Sequence, residues 1–433
     1  MRGSLATVLG FGGAQFLRLA SNLVLTRLLV PEAFGLMTLI TLLIMGLKLF
    51  SDIGIGQSIL RSPRGDDQLF LDTAWSLDLI RGAILWVLAC VLAVPMANFY
   101  DIPQLAQLVP VTATVLLIGG LEPTRVDSAT RHLLLGRITA FELFSQFCGI
   151  IVMVALAVLT RSVWALVVGQ IFASAIRLTL MMRGLPGEPN RFRIDRSAVH
   201  ELVGFGAWIF VSTVAGYAVS QGDKLVLSKF LSLEMLGIYN IGYFLAAVPV
   251  MLGGTLVGRM MIPIYRESPP AESRENFLRL RRFRFLLSGG LIAIGLFLAL
   301  IGTWLVDLLY DPRYEAAGAV LVLLALAFMP QLITQSYDQI ALAMGDSRIF
   351  CLVSIARGVL MLACVAVGAA LLGLTGAILG QAVAYLLSYP IIAWLARRYD
   401  AWDGAHDAVM AAVAAVGAAL ALWLHANAIA ALP

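Results

Sequence analysis

The sequence predicts an all-α, polytopic membrane protein with two six-helix lobes related by a parallel pseudo-twofold axis and an extra C-terminal span, 12–13 spans in all. Three observations support this fold class: the apolar composition, the long apolar runs and a motif that occurs twice. Of the 433 residues, 60% are hydrophobic and 13% are charged, which is far outside the range of soluble domains. The runs are longer than the roughly ten alternating residues of a membrane β-strand, so helical spans are predicted.

The apolar runs define the individual spans. A hydrocarbon core roughly 30 Å thick is crossed by about 20 apolar residues in a helix, and thirteen runs of this kind follow one another along the chain. They cover residues 5–29, 35–57, 73–99, 105–125, 139–160, 162–182, 202–221, 235–262, 284–309, 316–343, 348–372, 374–396 and 407–425. We therefore predict an N-terminal lobe over 1–190, a C-terminal lobe over 191–400 and a further span within 401–433.

The distribution of Lys and Arg predicts the orientation of the chain. When alternate connections are assigned to opposite sides, 20 of the 30 basic residues fall on the side of the N-terminus, 5 on the other side and 5 within spans. Cytoplasmic loops carry an excess of positive charge, so the N-terminus is predicted to be cytoplasmic. The basic connections 183–201 and 263–283 then either contact anionic membrane lipids or serve only to fix the topology.

A short motif occurs once in each lobe. LTRLLVPEAFGL at 25–36 aligns with LSKFLSLEMLGI at 227–238 with an offset of 202 residues, so that a basic residue, a glutamate and a glycine coincide. Both copies follow a span that starts on the predicted cytoplasmic side. The lobes are therefore predicted to be related by an axis along the membrane normal, and transporters built in this way usually bind substrate between their halves.

Each lobe opens with a helix that carries a polar stripe. Residues spaced by three and four positions share one face of a helix, and an ionisable side chain costs roughly 2.5–3.5 kcal/mol at the centre of a membrane helix. The stripes are therefore predicted to line a cavity for an anionic ligand. Their residues are Gln15, Arg18 and Asn22 on the first span, and Tyr217, Ser220 and Lys224 on the seventh.

The charges inside spans fall into two groups. Those with an opposite charge three or four residues away are predicted to be structural pairs: Lys48 with Asp52, Asp78 with Arg81, and Glu122 with Arg125. Those without such a partner on their own helix are predicted ligands: Arg18, Arg177, Lys224 and Arg357. Asp338 is predicted either to carry a coupling proton or sodium ion, or to pair with an arginine from another span.

Enzyme signatures are absent from the sequence. It contains no G-x-S-x-G, P-loop or H-E-x-x-H motif. The four cysteines lie inside apolar runs without metal-ligand spacing, so neither a disulfide framework nor a metal site is expected. We therefore predict no catalytic residues, no metal, no cofactor and no nucleic-acid partner.

Three stretches resemble a known family: LTRLLVPEAFG, SDIGIGQSILR at 51–61 and SQGDKLVLSKFLSLEMLGIYNIGYFLAAVP at 220–249. They resemble the polysaccharide transporters, the O-antigen and exopolysaccharide flippases, of the multidrug/oligosaccharidyl-lipid/polysaccharide exporter superfamily. The likeness covers most of residues 1–400. The matching positions are Arg27, Pro31, Glu32, Phe34, Gly35, Asp52, Gly54, Asp223, Lys224, Gly237 and Tyr239.

This resemblance implies a function. It suggests a flippase of the bacterial inner membrane that moves an undecaprenyl-diphosphate-linked glycan to the periplasmic leaflet by alternating access, coupled to a proton or sodium gradient. A monomer, associated with a glycan polymerase or export machinery, is the implied assembly. The first span holds fewer arginines than that of the lipid II flippases, which disfavours a peptidoglycan precursor. The alternatives are a drug or metabolite antiporter of the same superfamily and a membrane glycosyltransferase or glycan polymerase.

Overall fold

The prediction of an all-α membrane protein is confirmed. The computed structural model describes residues 2–51, 54–132, 135–203 and 206–432, and these residues form α-helices and short 3-10 turns without any β-strand. Contacts divide the chain into two compact units, Met1–Thr213 and Val214–Pro433. The predicted lobe bounds, 1–190, 191–400 and 401–433, stay a prediction.

The first unit is built from a series of helices of very different length. They are α1 (Arg2–Leu28), α2 (Pro31–Phe50), α3 (Ile55–Arg61), α4 (Gln68–Tyr100), α5 (Leu105–Thr112), α6 (Thr114–Gly120), α7 (Arg125–Arg131), α8 (Leu135–Thr160), α9 (Trp164–Gly184) and α10 (Arg196–Val203). The chain enters the second unit within α11 (Gly206–Phe230).

The second unit contains the longest helices of the described residues. After α11 come α12 (Leu233–Ala246), α13 (Val248–Glu267), α14 (Arg274–Leu309), a 3-10 turn (Pro312–Tyr314), α15 (Ala316–Ala327), α16 (Met329–Thr334), a 3-10 turn (Gln335–Tyr337), α17 (Ile340–Ala343), α18 (Ser347–Arg398), α19 (Gly404–Leu424) and α20 (Ala426–Ala430).

The helices agree with the predicted spans. Among the described residues, nine helices are long and apolar enough to cross a membrane, or ten if the pair Leu105–Gly120 and Arg125–Arg131, bent by 57°, is one span. One of them, α18, contains two predicted runs, so eleven of the thirteen runs are accounted for. The other two, 5–29 and 202–221, coincide with α1 and α11.

Helix α18 is a hairpin. Leu372 (φ −137°, ψ 25°) and Gly373 (φ 56°, ψ −134°) leave the helical region, and the left-handed φ at position 373 favours glycine. The two arms touch closely, because a Cβ built on Gly368 would lie 2.0 Å from the carbonyl oxygen of Gly376. The runs 348–372 and 374–396 are therefore separate spans, as predicted, joined by a turn of two residues.

The two copies of the repeated motif start their helices by different means. In the first copy Pro31 occupies the first turn of α2, where its missing N–H has no cost. In the second copy the Ser232 hydroxyl accepts a hydrogen bond from the N–H of Met235 and caps α12. Glu32 and Glu234 lie in the first turns, where a negative charge complements the helix dipole.

Candidate functional site

An Asp–Lys pair on α11 is buried inside the second unit. Asp223 is 2% exposed and Lys224 is 5% exposed. The Asp223 carboxylate accepts a hydrogen bond from the Tyr239 hydroxyl. The Lys224 ammonium lies 3.9 Å from that carboxylate, donates to Gln221 Oε1 at 3.2 Å and sits 3.3 Å above the Tyr243 ring. The tyrosines of α12 thus hold both charges of the pair.

Aromatic rings extend from this pair into the unit. Tyr243 packs edge-on against Phe328 at a centroid distance of 5.7 Å, and Phe328 against Tyr385 at 6.1 Å. A cation held against aromatic faces is attracted by the ring quadrupole, and the attraction is stronger where water is excluded. The ammonium has three donors, and the structure gives it one side-chain hydrogen bond among the described residues. Lys224 therefore retains hydrogen-bonding capacity for an anion.

The other two predicted residues of this stripe also lie on α11. Tyr217 is buried, and Ser220 is exposed with its hydroxyl donating to the Tyr217 carbonyl oxygen at 3.3 Å. The Ser220 carbonyl oxygen accepts from the Tyr243 hydroxyl at 3.4 Å. Ser220 and Lys224 thus both contact Tyr243, one through its backbone oxygen and the other through its ammonium. Neither Tyr243 nor Tyr385 is among the predicted residues, although the spacing of Tyr239 and Tyr243 places them on one face of α12.

Asp338 and Arg357 form an ion pair. Their closest atoms are 2.8 Å apart, and both side chains are partly buried. Arg357 has no partner on its own helix, as predicted, but it pairs with Asp338 from the segment between the 3-10 turn and α17, which spacing along one helix cannot show. Of the two alternatives for Asp338, the structure contains the arginine pair.

Arg177 is also paired across helices. Its guanidinium lies 2.9 Å from the carboxylate of Glu122 and 3.4 Å from that of Glu142. The predicted pair of Glu122 with Arg125 is wrong, since Arg125 instead donates to the carbonyl oxygens of Met182 and Glu188. Burial of charge is tolerated when opposite charges meet, so Arg177 fits a structural role in the first unit better than a ligand role.

The remaining predicted pairs and stripe residues lie in the first unit. The Asp78–Arg81 pair is confirmed, at 3.0 Å. Asp52 is outside the described residues, and its predicted partner Lys48 is exposed.

The polar stripe of α1 leaves its cation exposed. Arg18 is exposed, and Gln15 and Asn22 are half-buried. Gly10 and Gly13 lie on a different face of the helix and pack on α8, where a Cβ on Gly10 would meet Thr139 Cγ2 at 2.0 Å. The stripe is therefore separate from the α8 contact.

Together these features define a multi-pass helical membrane protein that carries buried polar groups inside its helices. The chain belongs to the polysaccharide biosynthesis protein family, whose model matches residues 24–319. This confirms the family predicted from the motifs.

Three known proteins are similar to this chain. The teichuronic acid biosynthesis protein TuaB of Bacillus subtilis (strain 168) is 24% identical over 297 residues, which are 68% of this chain and 61% of TuaB, less than two thirds of its length. The lipopolysaccharide biosynthesis protein WzxC of Escherichia coli (strain K12) is 23% identical over 409 residues, 92% of this chain and 81% of WzxC. The lipid II flippase MurJ, in an inward closed conformation, superposes with a TM-score of 0.70 at 11% identity and covers 99% of both chains. The chain thus shares its fold with a known transporter.

Proposed function

We propose that the chain is a flippase that translocates an undecaprenyl-diphosphate-linked oligosaccharide from the cytoplasmic to the periplasmic leaflet for surface polysaccharide synthesis. The observation that carries the proposal is Lys224, a buried cation with unused donors beside a row of aromatic rings, in a member of a polysaccharide biosynthesis family. A diphosphate offers oxygen atoms that can accept hydrogen bonds from the donors that the Lys224 ammonium has left over. Sugar rings offer apolar C–H faces that suit aromatic side chains.

The relatives support a glycan substrate. The names of TuaB and WzxC connect them with teichuronic acid and lipopolysaccharide, and MurJ is named as a flippase of lipid II. We transfer to this chain the feature that the three names share, a surface glycan or its lipid-linked precursor.

The proposal includes an orientation and a mechanism. The N-terminus faces the cytoplasm of a bacterial cell, and the protein resides in the inner membrane as a monomer, associated with a glycan polymerase or export machinery. Transport proceeds by alternating access, with Lys224 as the cation that meets the diphosphate. Because Arg177 and Arg357 are already neutralised by carboxylates, we assign them to the stability of their own units.

The test is a deletion of the gene followed by assay of lipid-linked glycan on each side of the inner membrane. We expect glycan to accumulate on the cytoplasmic leaflet and the wild-type gene to restore delivery. Sensitivity to cationic drugs should stay unchanged, which separates the proposal from a drug antiporter. Normal outward delivery in the deletion strain would disprove the flippase function, provided that no second flippase gene is present.

A further inference from the structure

A buried hydrogen-bonded chain joins α19 to α14 in the second unit, apart from the Lys224 site. Ser288 Oγ lies 2.7 Å from His406 Nε2, and His406 Nδ1 lies 2.9 Å from Asp407 Oδ1. The Asp407 carboxylate also accepts from the hydroxyls of Tyr337 and Tyr389, each at 3.0 Å. Four helical segments thus meet at the neighbouring residues His406 and Asp407.

The order Ser–His–Asp is that of a hydrolase triad, but this site does not fit catalysis of that kind. Ser288 is 1% exposed and His406 is 0% exposed, so no substrate carbonyl has access to the serine oxygen. A nucleophile needs space for a reacting atom about 3 Å away. The group that can reach such a site is a proton.

The hydroxyl groups that donate to Asp407 determine that His406 Nδ1 carries a hydrogen. Tyr337 Oη accepts from the N–H of Asp403 at 3.3 Å, and Tyr389 Oη accepts from the indole N–H of Trp402 at 3.4 Å. Each phenol has a single proton, which is therefore directed at Asp407. With two phenols donating to it, Asp407 acts as an acceptor, so His406 presents Nδ1–H to it.

At His406 Nε2, two hydrogen-bond arrangements with Ser288 are possible. Ser288 has one hydroxyl proton and two acceptors within reach, the Arg284 carbonyl oxygen at 2.6 Å and His406 Nε2 at 2.7 Å. If the proton points to Nε2, the imidazole is neutral. If it points to the carbonyl, Nε2 must carry a hydrogen and donate to Ser288 Oγ, so the ring is an imidazolium. Both states satisfy the donors of Ser288 and His406 without movement of a heavy atom.

The surrounding charges balance when His406 is neutral. Arg284 is fully buried, donates to the Ala401 carbonyl oxygen and to the Tyr265 hydroxyl at 2.8 Å, and lies 4.2 Å from the centre of the Tyr337 ring. Its charge offsets that of Asp407. A proton on His406 therefore adds one net positive charge to a buried site, which carries a desolvation penalty.

A second ion pair closes the site. Arg281 forms a two-bond contact with Asp403, with one of the bonds at 2.8 Å. Burial disfavours the charged form of Asp403, but hydrogen bonds from Arg281 and from the N–H of His406 outweigh it and hold the pKa of Asp403 below its usual value. Asp403 thus stays charged and balanced by Arg281. The ring of Phe285 packs edge-on against His406 at 4.8 Å and completes the enclosure.

We propose that His406 is a proton-binding site of the second unit, with Ser288 as the hydroxyl that reorients when the proton binds. One N–H bond forms at Nε2, and the hydroxyl hydrogen of Ser288 turns to the Arg284 carbonyl oxygen. Because the bound proton leaves an excess buried charge, its binding favours states in which the start of α19 is less tightly packed. The role in coupling transport to a proton gradient rests on the proposed flippase function; the binding of the proton does not.

The test is ¹⁵N NMR of the histidine rings in the full chain, purified in lipid nanodiscs, between pH 8 and pH 5. The His406 signal, assigned by its loss in His406→Gln, is expected to change from the neutral Nδ1–H form to the imidazolium within this range. In Asp407→Asn the midpoint should fall by roughly one pH unit or more, because the imidazolium loses its counter-charge. If Asp407→Asn does not fold, Ser288→Ala is the second test variant, because it is a smaller change. It removes the hydrogen-bond partner of His406 Nε2, so the midpoint of the His406 transition should move.

A His406 ring that stays neutral throughout this range, or a midpoint that neither substitution moves, would overturn the proposal. Because the signal is read without substrate, this failure is distinct from failure of the flippase function, which the deletion strain tests. Coupling is then tested by comparing glycan delivery in His406→Gln and wild-type cells at high and low external pH. We expect the pH dependence to be lost in the variant, and an unchanged dependence would leave no coupling role for the site.

Discussion

At the scale of single residues, the predicted ligand cations differ in what neutralises them. Arg177 and Arg357 each meet a carboxylate within 3 Å, whereas Lys224 is 3.9 Å from its nearest carboxylate and rests on a phenol ring. Sequence spacing reveals partners three or four residues away on one helix, as with Asp78 and Arg81. It gives no information about partners on other helices, since those depend on how each helix is rotated in the packed unit.

Replacement of Lys224 by Met removes the charge and keeps a similar length. We expect glycan delivery in the complemented deletion strain to fall roughly tenfold or more, because a charged hydrogen bond contributes about 1.5–3 kcal/mol. Asp223 then keeps only its hydrogen bond from Tyr239 and loses its counter-charge, so delivery is compared at matched protein levels. Lys229→Met, an exposed position on the same helix, is the control and should transport normally. Full activity of Lys224→Met at normal protein levels would remove Lys224 from the substrate path.

The Asp338–Arg357 pair can be separated into structural and functional roles. Arg357→Gln leaves a partly buried carboxylate without its partner, and loss of one member of a buried pair costs about 3–5 kcal/mol. We expect this variant to show low membrane levels and a lower melting temperature. The double variant Asp338→Asn/Arg357→Gln should recover both, because no uncompensated charge remains. If the double variant is stable but inactive, Asp338 has a transport role beyond the pair.

At the scale of elements, the bounds of spans follow from the sequence more directly than their contacts do. The runs 348–372 and 374–396 are separated by a single glycine, and the structure turns at Leu372 and Gly373 as predicted. What the runs do not show is how near the two arms lie. That distance depends on Gly368 and Gly376, which face each other across the hairpin, and their alignment is fixed only once the turn is made.

Close packing in the α18 hairpin makes its glycines sensitive to substitution. A Cβ on Gly376 would lie 2.1 Å from the Gly368 carbonyl oxygen, which is backbone and has little room to move. We expect Gly376→Val to lower the melting temperature of the purified protein by roughly 5 °C or more. Gly290→Ala, in α14 where an added Cβ meets nothing within 4 Å, is the matched control. Equal melting temperatures for the two variants would contradict the hairpin contact.

At the scale of the whole molecule, composition alone was sufficient for the class, and motif spacing for the family. The candidate site was only partly predictable: Lys224 follows from the polar stripe, whereas Tyr243, Tyr385 and the His406 chain come from helices that are distant in sequence. Such contacts require knowledge of which helices are neighbours. Histidines near span ends carry no pattern that distinguishes a buried proton site from a headgroup contact.

The predicted topology can be tested by labelling single cysteines in intact cells, in a chain whose four native cysteines are replaced. Gln104→Cys lies in an exposed connection on the predicted periplasmic side, and Glu188→Cys in one on the predicted cytoplasmic side. We expect a membrane-impermeant maleimide to label the first in intact cells and the second only after permeabilisation. The reverse pattern would place the N-terminus in the periplasm.

The buried Arg284 also sets an order of events during synthesis. Its acceptor on Ala401 lies 117 residues further along the chain, which a bacterial ribosome adds in roughly 6–23 s at about 5–20 residues per second. For that interval the guanidinium is already placed near the membrane but lacks the carbonyl oxygen and the carboxylate that later offset it. The second unit therefore cannot complete its packing around Arg284 until residue 401 and the following helix α19 have been synthesised. A chain released before residue 401 should expose this arginine to the proteases that degrade unfinished membrane proteins.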